Sequence, residues 1–230
     1  MSRFSSLEFS NRDENQLGQE ISAVKDEAFF LQEAQTSFEG GRFEQALRAY
    51  SKVLEFNPKN VSAWAGQVRM LIELGEFPEA KLWADKAIEK FPNEPELLAT
   101  KAVALGRLGD TKGALAFSDA SMEELGDSPY VWLARGDVLL ARREDRADYC
   151  FQKAWALAPT DWFTHWLAAR IYFYYHKFSI SLQYAQKALN FNPGQSAAWL
   201  QVGRCQFELG LGTLAENSLT QAKQLDPHCE

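Results

Sequence analysis

The sequence predicts an all-α solenoid of six helix–turn–helix units, and three series of evenly spaced residues support this. Prolines recur every 34 residues, and glycines and alanines keep the same spacing. The proline series consists of Pro58 and Pro92, followed by Pro159, Pro193 and Pro227. The glycine series is Gly41, Gly75 and Gly109, and the alanine series is Ala46, Ala80 and Ala114. Because all three series share one period, the chain is interpreted as a repeat protein.

The period divides the chain into six units after an N-terminal extension of residues 1–26. The units are 27–60, 61–94, 95–128, 129–161, 162–195 and 196–229. One unit is a residue short, because Trp64 and Trp132 are 68 residues apart whereas Trp132 and Trp199 are 67 apart. Ala147 also stands one residue earlier than the period predicts, so the missing residue is placed between Trp132 and Ala147.

Each unit is predicted to form two helices, as residues 61–94 illustrate. The first helical face repeats at i, i+4, i+7 and i+8, and the second is marked by small residues. The first face consists of Trp64, Val68, Leu71 and Ile72, and the second face consists of Ala80, Ala84, Ala87 and Ile88. Gly75 is expected to end the first helix in a left-handed conformation, and Pro78 fits the first turn of the second. No stretch alternates with period 2, so strands are not expected.

The extension and two of the units depart from this pattern. Apolar residues at Leu17, Ile21 and Val24 predict a helix from about Gln16 into the first unit, preceded by a mobile segment 1–14. Arg142–Asp145 stand where a turn glycine is usual in unit 129–161. In unit 162–195, His165 replaces the early tryptophan, and a structural role is expected for it.

The 34-residue unit, with an early Trp, small residues, a central Gly and a late Pro, resembles the tetratricopeptide repeat family. Further residues that carry the resemblance are Ala34, Gly136 and Gly203 in the first helix, and Ala147, Ala215, Ala154, Ala188 and Ala222 in the second. The resemblance covers 27–229. It implies a right-handed superhelix whose first helices line a concave groove that binds a protein or peptide.

Composition excludes several classes of protein. The net charge is −7, with 24 Lys and Arg against 31 Asp and Glu, which argues against a nucleic-acid partner. No signal peptide begins the sequence, and no apolar run approaches the ~18 residues of a membrane span, so no membrane partner is expected. The three cysteines Cys150, Cys205 and Cys229 are too scattered for a disulfide framework, and a cytoplasmic location is predicted.

No catalytic or metal-binding motif is found. The three histidines His165, His176 and His228 form no HExxH-type pattern, and no glycine-rich phosphate loop is present. Cys150 and Cys205 fall among apolar residues and are interpreted as inert packing residues. The expectation is a non-enzymatic protein with no cofactor and no metal.

The functional residues are expected on the concave groove. Projected from the family's pattern, the central row of the groove is Gln35, Arg69, Val103, Asp137, Arg170 and Arg204. Arg170 and Arg204, with surrounding aromatic residues, would suit a peptide that carries apolar anchors and a carboxylate. The predicted binding residues are Arg69, Phe163, Trp166, Arg170, Phe173, Tyr174, Leu200, Arg204 and Phe207.

Two alternatives stand beside this prediction of a binding groove. The aromatic residues could serve ordinary packing between units, with solvated arginines. Arg69 could simply pair with Glu73, four residues later on the same helix.

The preferred function is a scaffold that binds a peptide or protein segment in the groove. A second hypothesis is the non-catalytic interaction domain of a larger enzyme or of a secretion or assembly component. A third is a homo-oligomeric structural protein that associates through its uncapped last unit, where Leu211, Leu214 and Leu219 would be partly exposed.

Overall fold

A computed structural model of the chain describes residues 26–124 and 127–228, and every regular element among them is an α-helix. The helices are α1 (Glu27–Glu39), α2 (Phe43–Phe56), α3 (Val61–Glu73), α4 (Phe77–Lys90), α5 (Pro95–Arg107), α6 (Thr111–Glu123), α7 (Pro129–Ala141), α8 (Ala147–Leu157), α9 (Trp162–Tyr174), α10 (Phe178–Phe191), α11 (Ser196–Glu208) and α12 (Gly212–Leu225). The prediction of an all-α solenoid of helix hairpins is confirmed. Within the described ranges, no helix combines the length and apolar character needed to cross a membrane.

Some predictions fall outside the described residues. These concern the helix expected from about Gln16, the mobile segment 1–14, and Cys229 at the other end.

The turn inside each hairpin contains one residue with a left-handed backbone. Glycine occupies that place in four units, at Gly41, Gly75, Gly109 and Gly210, with φ between 74° and 89°. In the other two units it is taken by Arg143 (φ 60°) and His176 (φ 55°). The prediction for Gly75 is therefore confirmed. Because side chains disfavour this conformation, Arg143 and His176 are strained.

Tryptophan at the fourth position of a unit ties that unit to the end of the preceding one. The indole N–H of Trp64 donates to the carbonyl of Pro58 at 3.0 Å, and that of Trp199 donates to Pro193 at 2.9 Å. At the same position His165 is only 5% exposed, and its Nδ1 lies 3.0 Å from the carbonyl oxygen of Asp161. The structural role predicted for His165 agrees with this placement.

Small residues let the helices of the array approach closely. A side chain on Gly136 would begin 2.8 Å from the ring of Phe151, so α8 could not pack on α7 as it does. Ala34 and Ala102, which are fully buried, hold the corresponding place in earlier units. Such approaches within the hairpins combine with stacking between units to form one core cluster that runs from Ala34 to Ala198.

The junction between the fourth and fifth units differs from the others, because the backbones of α8 and α9 make only slight contact. Large aromatic residues fill the space. Trp155 stacks on His165 with ring centroids 5.6 Å apart and contacts Tyr184 at 4.4 Å. The short unit, with an α8 of 11 residues, thus joins the next one through side chains.

The last unit leaves apolar side chains uncovered. Leu211 and Leu214 are 42% and 51% exposed, and Leu219 is half-buried. The partial exposure expected for these leucines is present among the described residues.

Candidate functional site

The first two units of the array touch the last two, so the concave side is partly enclosed. Arg42 Nη1 lies 2.6 Å from Asp226 Oδ2, and the edge of the Phe38 ring packs on Phe163 with centroids 4.9 Å apart. Arg170 on α9 also forms an ion pair with Glu73 on α3. We call these three interactions the closing contact.

The enclosed space is a cavity of about 260 Å³. Its wall combines apolar side chains with four arginines and two carboxylates. The residues that line it are Phe38, Arg69, Ile72, Glu73, Val103, Arg107, Tyr130, Leu133, Ala134, Asp137, Leu167, Arg170, Ile171, Phe173, Tyr174, Gln201 and Arg204. Such a mixture can accept an apolar group that carries a charge or a hydrogen-bonding group.

The most buried charges of the cavity are Arg107 and Asp137, whose side chains are 6% and 3% exposed. The guanidinium donates from Nε to Oδ1 at 3.2 Å and from Nη2 to Oδ2 at 2.5 Å. Its plane lies 3.4 Å from the centroid of Tyr174. Two parallel hydrogen bonds of this kind fix both side chains in one orientation.

Tyr175 completes this group by donating its hydroxyl to Asp137 Oδ1 at 2.6 Å. Burial raises the pKa of Tyr175 and the Asp137 charge raises it further, so the phenol stays protonated and able to donate. Burial is the largest influence on the pKa of Arg107 and would lower it, but the charge and hydrogen bonds of Asp137, together with Tyr175 and Glu73, outweigh burial and the net shift is upward. Arg107 therefore stays charged and Tyr175 stays protonated over the whole physiological pH range.

Arg69 makes a different pair from the one considered in the sequence analysis. Its Nη2 lies 2.6 Å from Glu96 of the next unit, and its guanidinium stacks 3.4 Å from the centroid of Tyr130. The alternative in which Arg69 pairs with Glu73 does not occur, because Glu73 faces Arg170 across the cavity. The Nε of Arg69 is buried without a hydrogen-bond partner among the described residues.

Arg170 connects the cavity to the closing contact. Its Nε donates to Glu73 Oε2 at 2.6 Å, and Nη2 binds the same oxygen. The guanidinium also lies over Phe43 at 4.4 Å and near Trp166 at 5.2 Å. One side chain therefore holds an acidic residue of the second unit and an aromatic residue of the first.

The predicted groove residues fall into three groups. Those that line the cavity are Arg69, Arg170, Phe173, Tyr174 and Arg204. Phe163 and Trp166 belong instead to the packing around the closing contact, and Trp166 is only 1% exposed, with its indole N–H donating to Ala197 O at 3.1 Å. Leu200 and Phe207 do not line the cavity, and Phe207 is 69% exposed.

Several cavity residues were not among the predicted binding residues, although the repeat contains a signal for them. Glu73 and Arg107 occupy the same position of their units as Tyr174, the thirteenth, which ends the first helix. Asp137 lies on the projected central row. If the thirteenth residue of every unit is counted as a groove residue, Glu73 and Arg107 are identified. The contact between Phe38 and Phe163 could not be found in this way, because no repeat position indicates it.

Comparison with known proteins is consistent with this architecture. A sequence model of the tetratricopeptide repeat family matches residues 5–162. Anaphase-promoting complex subunit 3 of Schizosaccharomyces pombe is 24% identical over 149 residues, which cover 64% of this chain and 22% of that protein. BBSome complex member BBS4 of Bos taurus is 20% identical over 187 residues, which cover 81% and 36%. The chain thus spans well under half the length of these relatives.

A solved structure shares the fold. TTC0263, a thermophilic tetratricopeptide repeat protein of Thermus thermophilus, superposes with a TM-score of 0.59 at 20% identity, over 79% of this chain and 99% of that one. This likeness concerns the fold alone. Since the family match covers more than half of the sequence and the described residues form stacked helix hairpins, the chain belongs to the tetratricopeptide repeat family, whose fold is typical of protein–protein interaction scaffolds.

Proposed function

We propose that the chain is a non-catalytic interaction scaffold whose concave cavity receives side chains of a partner protein segment. The observation that carries this proposal is the meeting of Arg69, Arg170 and Arg204 with apolar side chains in one enclosed space. Arginine pairs well with carboxylates, and apolar surroundings strengthen such pairs. A segment with an apolar anchor beside an acidic residue therefore fits the cavity best.

The known relatives support a role in assemblies. By name, two of them are members of multiprotein complexes, the anaphase-promoting complex and the BBSome. The cytoplasmic location and the absence of catalysis remain predictions from the sequence, and the partner is defined here only by its chemistry.

A panel of immobilised random hexapeptides tests the proposal directly. We expect the unmodified protein to select peptides with a large apolar residue next to Asp or Glu. Arg204→Glu should weaken binding of the selected peptides by about tenfold or more, since it replaces a cation of the cavity with an anion. Unchanged helicity by circular dichroism shows that the variant is folded.

Arg48→Glu provides the matched control, because it makes the same change of charge at a side chain that is 80% exposed on α2 and does not line the cavity. If both variants bind alike, or if the selected peptides lack acidic residues, the assignment of the cavity is wrong.

A second candidate function is self-association through the last unit. Phe207, Leu211 and Leu214 are exposed together at that end of the array. Light scattering over a hundredfold range of concentration tests this candidate, which predicts a rising mass that Leu214→Gln abolishes. A constant monomer mass would contradict it.

A further inference from the structure

We propose that Glu73 is an internal substitute for the partner's carboxylate, and that its ion pair with Arg170 keeps the array closed until an acidic segment replaces it. The inference rests on the proposed function for the chemistry of the ligand. It adds the way in which access to the cavity is controlled.

The small size of the cavity favours such an opening. A space of about 260 Å³ holds one or two side chains but not the backbone of a bound segment. The cavity is closed on one side by the contact of the first two units with the last two. A protein segment can therefore enter fully only when the closing contact separates.

The Glu73–Arg170 pair is suited to exchange. The two side chains are 19% and 17% exposed, so water and a ligand can reach the pair, unlike the deeply buried pair of Arg107 and Asp137. An incoming carboxylate replaces one anion on Arg170 by another, and Glu73 becomes solvated. Because Arg170 is never left without a counter-ion, the exchange avoids the cost of an unpaired buried charge.

The array also contains a place at which it can bend. Between α8 and α9 the backbones are in slight contact, and aromatic side chains such as Trp155 fill the gap. A pivot of the fifth and sixth units there requires readjustment of side-chain contacts, such as Phe151 on Tyr172 and the hydrogen bond of Tyr172 to Asp148, but of few close backbone contacts. That pivot would move Arg170 and Asp226 away from Glu73 and Arg42.

The closed state can be measured without any ligand. A Cβ atom built on Gly41 lies 3.5 Å from the Cβ of Ala197, within the range of about 3.5–4.5 Å found in disulfides. Gly41→Cys with Ala197→Cys, in a Cys229→Ser background, should therefore form a disulfide in a glutathione redox buffer. Residue 41 has a φ of 75°, so its cysteine is strained, but this strain is common to all the variants compared. Cys150 and Cys205 are buried and should not compete.

Glu73→Gln should slow formation of this disulfide at least threefold, because the closing contact is weakened. The matched control is Glu96→Gln, which weakens the pair with Arg69 between adjacent units but leaves the closing contact intact. If Glu73→Gln does not fold, Asp226→Asn tests the same expectation through the pair with Arg42. Equal rates in the Glu73 and Glu96 variants would overturn the role of Glu73.

The ligand is tested with one peptide selected from the hexapeptide panel and with its Glu→Gln counterpart. We expect the oxidised, cross-linked protein to bind the acidic peptide at least tenfold more weakly than the same protein after reduction. Glu73→Gln should bind it about threefold more tightly. Undiminished binding to the cross-linked protein would refute the gate while leaving the proposed function intact. A slowed disulfide in Glu73→Gln without any peptide binding would refute the proposed function and uphold the closure by Glu73.

Discussion

Arg42 and Asp226 are 184 residues apart in the sequence and form an ion pair 2.6 Å long. In an open stack of repeats, each unit contacts only its neighbours. Here the first and last units are joined, together with Phe38 against Phe163. The groove expected from the repeat pattern is consequently a partly enclosed cavity.

Asp137→Ala tests the buried charge cluster. The substitution leaves the buried Arg107 without its carboxylate and Tyr175 with only the main-chain carbonyl of residue 137 as acceptor, and we expect it to lower the free energy of unfolding by about 3 kcal/mol or more. Urea denaturation followed by circular dichroism measures the change. Asp119→Ala serves as control, because Asp119 pairs with Arg135 at the surface and its side chain is 49% exposed. That variant should lose less than about 1 kcal/mol, and equal losses would contradict the prediction.

Arg143→Gly should stabilise the protein. Arg143 has a φ of 60° and its side chain is exposed, so glycine relieves strain without removing packing. The expected gain in unfolding free energy is about 1 kcal/mol. Gly75→Ala should produce a loss of similar size, because position 75 has a φ of 78°. The midpoint of thermal unfolding should rise in Arg143→Gly and fall in Gly75→Ala. A shift of the same sign in both variants would count against strain as the cause.

Two glycines inside helices should respond oppositely to alanine. A Cβ on Gly106 meets only Ala114 and Ala141 at 3.7 Å, so Gly106→Ala should add about 0.5–1 kcal/mol through the better helix propensity of alanine. A Cβ on Gly136 would lie 2.8 Å from the ring of Phe151, so Gly136→Ala should cost about 1–3 kcal/mol. Denaturation midpoints in urea decide between these outcomes. Stabilisation by Gly136→Ala would show that Phe151 moves aside easily.

The buried thiols should react slowly. Burial raises the pKa of Cys150 and of Cys205, so at pH 8 both remain protonated where a free thiol, with a pKa of about 8.5, is partly ionised. In a Cys229→Ser background, iodoacetamide should therefore modify the folded protein at least tenfold more slowly than the protein in 6 M guanidinium. Mass spectrometry at timed intervals gives both rates. Similar rates would mean that these helices open readily.

Much of the fold could be predicted because the same structural requirements recur in several units of the sequence. Gly75, Pro78 and Ala80 each report a local requirement of the hairpin, and each requirement recurs 34 residues away. Arg143 was harder to interpret. Its left-handed backbone is imposed by the turn, although the residue itself favours no such conformation.

The site could be predicted only in part. Repeat position places Arg69 and Arg170 on the concave side, but it does not show which carboxylate each one binds. The partner of Arg170 is Glu73, on a helix 97 residues earlier, and this depends on the curvature of the whole array. That curvature includes the junction around Trp155, where side chains from two units meet and which no single unit specifies.

The closing contact has a thermodynamic consequence. A linear row of repeats can fray from either end, and its stability is close to a sum over units and their interfaces. When the two ends hold each other, fraying at one end removes a support from the other. Denaturation should then be more concerted than in an open row of equal length. A substitution that destabilises the first hairpin should also destabilise the sixth.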